Sequence, residues 1–135
     1  MGKAKGTAEV AKKALDRLIG IAKDLPEAKW KVKTHYAQFL AKSKTFGWFL
    51  NNHRNDGLVS VYCKVFPGEN AALIHSGPDR FYMPRYVGMH GWVAYRLDTP
   101  AVDWEEVAEL LKTSYYLSAP PKLAALVRYS EEERL

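Results

Sequence analysis

Between Lys42 and Arg96 the chain interleaves cations with aromatic rings, and no other stretch offers as much binding chemistry. Lys42, Lys44, Lys64, Arg80 and Arg85 supply positive charge, and Tyr82, Tyr86, His90 and Trp92 supply flat rings. Nucleic acid rewards that mixture, because cations neutralise phosphates while aromatic faces stack on accessible bases. Folded basic domains also use such residues to finish a core, with arginine stems laid over rings. The densest part, FYMPRYVGMHGWVAYRLD at residues 81–98, adds a proline and two glycines.

Catalysis and metal binding are not signalled in the same way. His35, His53, His75 and His90 are scattered, with no i, i+4 pair that would place two of them on one helix face. Cys63 is the only cysteine, so neither a cysteine-based metal cage nor an intramolecular disulfide can form. The phosphate-loop patterns GxxxxGK[ST] and GxGxxG do not occur, and VGMHG precedes a strand instead of a helix. Ser114 and Ser118 belong to no G-x-S-x-G elbow. Asp103, Glu105, Glu106 and Glu109 fall where a helix begins, and acids there interact favourably with the helix dipole. No catalytic residue, metal ligand or cofactor is therefore assigned, and the chain is expected not to be an enzyme.

Whole-chain properties bound the partners. At 135 residues the chain is the size of one domain and can bury a core without staples. Its apolar and charged fractions, 47% and 26%, are ordinary for a globular protein. The first residues, MGKAKGTAEVAKKALDRL, lack the apolar core of a secretory signal, and no run approaches the length of a membrane span. The lone cysteine fits a reducing compartment, so a cytoplasmic protein with no membrane partner is expected. The net charge of +5 is unevenly spread: residues up to Lys64 carry 13 Lys/Arg against 5 Asp/Glu, and the remainder 7 against 10. A basic first half suits a polyanionic partner.

The elements that must position these residues can be read from periodicity. Residues 7–23 have apolar positions at helical spacing, with Thr7 as a candidate cap and Pro26 limiting the helix to about 7–25. Strands are expected at 35–40 and 45–51, followed by a turn at Asp56-Gly57. LVSVYCKV (58–65) alternates cleanly, with Val59, Val61, Cys63 and Val65 on one face and Leu58, Ser60, Tyr62 and Lys64 on the other. A short helix at 67–74, a brief strand at 81–83 and a strand at 92–97 come next. Asp103 with Glu106 has the spacing of a capping box for a helix, and Pro120-Pro121 start a last short one before a charged tail at 129–135. This order predicts a single α+β domain, a two-layer sandwich with helices on one face of a mainly antiparallel sheet. The other face stays partly open, which makes Tyr62, Lys64, Trp92 and Arg96 candidates for an exposed aromatic and basic surface.

FYMPRYVGMHGWVAYRLD, the following VDWEEVAELLKTSYYLSAP, the early DLP and the KTFGWFL strand together resemble the MmcQ/YjbR family. The resemblance runs from about Leu25 to Leu126, and its most specific parts are Pro84, Tyr86, Gly91-Trp92-Val93, Trp104 and Ser114-Tyr115. It implies a sandwich similar to the CyaY (frataxin-like) fold and a DNA-binding protein with a double-wing motif. The first helix is basic where frataxins are acidic, which argues against an iron role.

These readings combine into one expectation: a nucleic-acid-binding protein, duplex DNA foremost, acting as a monomer or weak dimer. Lys42, Lys44, Lys64, Arg80 and Arg85 would meet phosphates, and Tyr82, Tyr86, His90 and Trp92 would shape the surface. The alternative is a module for a small anion, peptide or protein, which predicts a concave aromatic pocket instead of an open basic face.

Overall fold

A computed structural model describes residues 2–127, with side chains from residue 8 onward. Helix α1 (Gly2–Ala22) is followed by strands β1 (Ala28–Val32), β2 (Tyr36–Ala41), β3 (Lys44–Asn51) and β4 (Val59–Lys64). Helix α2 (Glu69–Ser76), strands β5 (Phe81–Tyr82) and β6 (Trp92–Arg96), and helices α3 (Trp104–Ser118) and α4 (Pro121–Ala124) complete it. The tail at 129–135 lies outside the described residues.

The six strands form one antiparallel sheet in the order β1-β2-β3-β4-β6-β5. Alternation decides its two faces. Ala37, Phe39 and Ala41 on β2, Phe49 on β3, Val61 and Cys63 on β4, and Val93 and Tyr95 on β6 are all buried toward α1 and α3. Those helices return Ala11, Ala14, Leu18 and Ala22, and Val107, Leu111 and Tyr115. Each large apolar side chain so buried contributes about 1.5–3 kcal/mol. The two-layer α+β sandwich expected from element order is the observed architecture.

One irregularity sets how α3 sits. The pairing of β2 with β3 shifts register between Phe39 and Leu40, leaving Phe46 without a cross-strand partner. Its ring packs against Phe39 and Tyr115, with centroids 6.1 and 5.1 Å away. Its freed carbonyl accepts a hydrogen bond from the Ser114 hydroxyl at 2.6 Å, and that oxygen accepts from the Lys64 N–H at 2.7 Å. A single buried serine thus stitches β3 to β4 beyond the Trp48–Tyr62 end of their ladder. Beside it, a Cβ on Gly47 would stand 3.2 Å from Leu111 Cδ2, so glycine lets α3 approach β3 closely.

Several boundaries differ from the sequence reading for identifiable reasons. Helix α1 begins at Gly2, which places Thr7 inside it instead of at its cap. Strand β1, AKWKV, was not expected; it is a short edge strand with three exposed positions and offers little apolar signal. The β3–β4 connection is a longer loop than a two-residue hairpin. Its Asn52 side chain accepts from Gly57 N–H, and Asp56 accepts from Leu58 N–H. At α3 the cap is half a capping box. Asp103 Oδ1 accepts from the Glu105 and Glu106 N–H groups, whereas the Glu106 carboxylate turns away to Arg80.

Candidate binding groove on the open sheet face

The face turned away from the helices carries a continuous cross-strand row. Tyr82 pairs with Ala94, Ala94 with Tyr62, Tyr62 with Trp48, Trp48 with Gln38, and Gln38 with Lys31. Each residue follows from the same period-two alternation that buries its neighbours on the other side. The next row adds Leu50 and Tyr36, whose ring lies 5.9 Å from that of Trp48 and edge-on to His53 at 6.2 Å. Tyr62 and Tyr82 meet edge to face at 6.4 Å, and the Tyr82 hydroxyl donates to buried Ser60 at 2.8 Å.

Two loops raise walls over this floor. The β3–β4 loop presents His53, Arg54 and Asp56, and it is tightly wound, with positive φ at Asn52, Arg54 and Asn55. The β5–β6 loop presents Met83, Arg85, Tyr86 and Val87. It is held from beneath by Asn70 on α2, whose side-chain amide donates to the Gly88 and Trp92 carbonyls at 3.0 and 3.1 Å. At its tip Tyr86 has φ 66 and ψ −60, and the Val87 N–H donates to the Arg85 carbonyl at 2.7 Å. That is a γ-turn of the rare strained hand, imposed on a tyrosine that remains 70% exposed. The walls touch where Arg54 lies over the Tyr86 ring.

Floor and walls enclose a groove of about 800 Å³. Burial raises the Tyr82 and Tyr62 phenols above their ordinary range, outweighing the opposing influence of Ser60 on Tyr82 and of Tyr82 on Tyr62. Both stay protonated and neutral at physiological pH. The charges at the rim come from Arg54, Arg85 and Asp56, and Asp56 is already engaged by its own loop. The arrangement offers flat rings and short apolar side chains to a planar body, with two guanidinium groups above it for an anion.

Of the residues expected from sequence, Tyr82, Arg85 and Tyr86 line the groove. The other six lie elsewhere. Lys42 and Lys44 are exposed at the β2–β3 turn, the opposite end of that hairpin from the groove. Lys64 sits at the far end of β4 opposite Trp92, and Trp92 is only 9% exposed. His90 is exposed at the end of the 3-10 turn before β6. Arg80 belongs to the helix layer: its guanidinium grips Glu106 of α3 through two bonds of 2.9 and 3.1 Å and lies over the Phe81 ring. The sequence reading missed Tyr36, Trp48, His53 and Arg54. Alternation within TFGWFLN signals Trp48, since Phe49 beside it is core, but nothing local joins Arg54 to Tyr86.

Residues 23–117 match the family model named YjbR. The chain belongs to the YjbR family. The crystal structure of the Deinococcus radiodurans protein DR2400, described with the domain DUF419, is similar to this YjbR-family chain. The TM-score is 0.63 at 22% identity, over 89% of this chain and 84% of that one. That likeness concerns the fold. None of the curated proteins matches this chain. Among the described residues of this YjbR-family protein, no helix is long and apolar enough to cross a membrane, and no three His, Cys, Asp or Glu side chains gather at one point.

Proposed function

We propose that this protein is a non-catalytic binding protein whose open-face groove takes a ligand joining a flat ring to a negative charge. A nucleotide unit has that chemistry. The observation that carries the reading is the pairing of Arg54 and Arg85 at the rim with Tyr36, Trp48, Tyr62 and Tyr82 on the floor. The volume of about 800 Å³ is also that of a site for a molecule of this size.

The reading keeps nucleic acid as a partner class but moves the contact from duplex backbone to exposed base. A duplex hides its ring faces in the stack, whereas a concave aromatic floor rewards a base that is free of one. The groove's polar groups are neutral phenols, guanidinium groups, His53 and an Asp56 tied into its loop. Such a set suits holding a ligand better than moving its protons.

Calorimetric titration of thymidine monophosphate into the wild type, Tyr86→Ala and Arg85→Gln tests it. Both side chains are exposed, so the variants keep the fold. Losing one stacking ring costs about 1–3 kcal/mol, so binding should weaken at least severalfold in Tyr86→Ala. Absence of binding, or binding indifferent to both substitutions, removes the proposal.

A further inference from the structure

The cross-strand row does not stop at the groove. Trp30 packs against core Phe39, so alternation turns Lys29 and Lys31 of β1 to the open face. Lys33, just past the strand, donates its N–H to the Tyr36 carbonyl and lies opposite Tyr36, on the same face. All three lysines are exposed, and Lys31 is two strands from Trp48 in the row. At about 4.8 Å per strand, the row from Tyr82 to Lys31 spans roughly 24 Å.

We propose that the open face binds single-stranded nucleic acid, with bases stacked in the groove and the trailing phosphates met by Lys29, Lys31 and Lys33. The inference rests on the groove reading above and extends it from one nucleotide unit to a strand. Three observations point to a strand and not to an isolated small molecule. Positive charge flanks the rings on both sides, Arg54 and Arg85 at one end and the lysines at the other. Gln38 and Thr45, joined by a 2.7 Å hydrogen bond, leave a low polar step between the groove and the lysines. The spacing exceeds the reach of a mononucleotide but suits a few connected ones, as in proteins that combine a cationic track with stacking rings. Edge lysines also deter sheet-to-sheet pairing, and that role alone would leave ligand binding untouched.

The test uses a fluorescein-labelled twelve-nucleotide oligothymidine, the same strand annealed to its complement, and thymidine monophosphate. Proteins are the wild type, Tyr86→Ala and the triple variant Lys29→Gln/Lys31→Gln/Lys33→Gln, whose changes are exposed. The single strand should bind tighter than the duplex by tenfold or more. The triple variant should lower the log–log salt slope by about 2, since each lost phosphate contact removes about 0.7. Monophosphate binding should be unchanged in the triple variant. Equal affinity for the duplex, or an unaltered slope, overturns the inference. If monophosphate binding still responds to Tyr86→Ala in that case, the groove stands as a small-ligand site. If it does not respond, the groove reading falls as well.

Discussion

Arg54 sits with its guanidinium carbon 5.5 Å from the centre of the Tyr86 ring, joining two loops that are 32 positions apart in the chain. Both residues have positive φ, 56 and 66, so each wall of the groove is bent at the point of contact. A contact between a cation and a ring at an exposed site contributes only about 0.5–1 kcal/mol. It is weak enough for a ligand to displace and still defines where the rim closes.

The Tyr86 turn yields a reversal of the usual rule. Glycine normally destabilises relative to alanine by about 0.5–1 kcal/mol. At φ 66 and ψ −60 alanine keeps the strain of tyrosine, whereas glycine releases about 1–3 kcal/mol of it. Urea unfolding should therefore find Tyr86→Gly more stable than Tyr86→Ala by about 1 kcal/mol, with both weakened in ligand binding. The turn is unstrained if alanine proves equal or better.

The Arg80–Glu106 pair should matter for stability and not for binding. It ties the residue just before β5 to α3 through two bonds, with about a third of each side chain still accessible. Solvent screening limits its coupling to about 1 kcal/mol. A double-mutant cycle of Arg80→Gln and Glu106→Gln should recover that coupling, while monophosphate affinity stays at the wild-type value. A loss of affinity in Arg80→Gln would return this residue to the binding surface.

Asn70 fixes one wall of the groove without reaching into it. Asn70→Leu removes the side-chain donor from the Gly88 and Trp92 carbonyls; Gly88 keeps the Gly91 N–H, and a buried carbonyl left unsatisfied, as at Trp92, costs about 1–3 kcal/mol. The variant should unfold earlier in urea. Amide exchange should quicken first in residues 83–91, before the sheet core responds. Uniform quickening across the chain would mean that Asn70 supports the fold generally and not this loop.

Alkaline pH should destabilise the protein. Burial raises the Cys63 thiol and the Tyr62, Tyr82, Tyr95 and Tyr115 phenols. Their unfolded counterparts release protons at lower pH than the folded ones, so the unfolded state binds fewer protons and stability falls as pH rises. Cys63 acts first, from about pH 8.5, with a slope of up to roughly 1.4 kcal/mol per pH unit until its folded value is reached. The tyrosines follow near pH 10. Stability curves for wild type and Cys63→Ala should converge between pH 8.5 and 10, and parallel curves would place the thiol in contact with solvent.

The division into layers is legible in local pattern alone. Alternation in LVSVYCKV and helical spacing in the first and third helices assign each side chain to the core or to the open face, because burial acts on local period. Short ordered matches also mark the family, and one dense stretch holds Tyr82, Arg85 and Tyr86. Which cations are available depends on long-range packing. Arg80 looks like its neighbour Arg85 in sequence, yet one is held by Glu106 26 positions away and the other stands at the rim. Likewise Trp92 is covered, while Trp48 and Arg54 join the groove through strand order and loop contact. Those choices depend on which distant segments pack together, and neither residue type nor spacing encodes that in any local pattern.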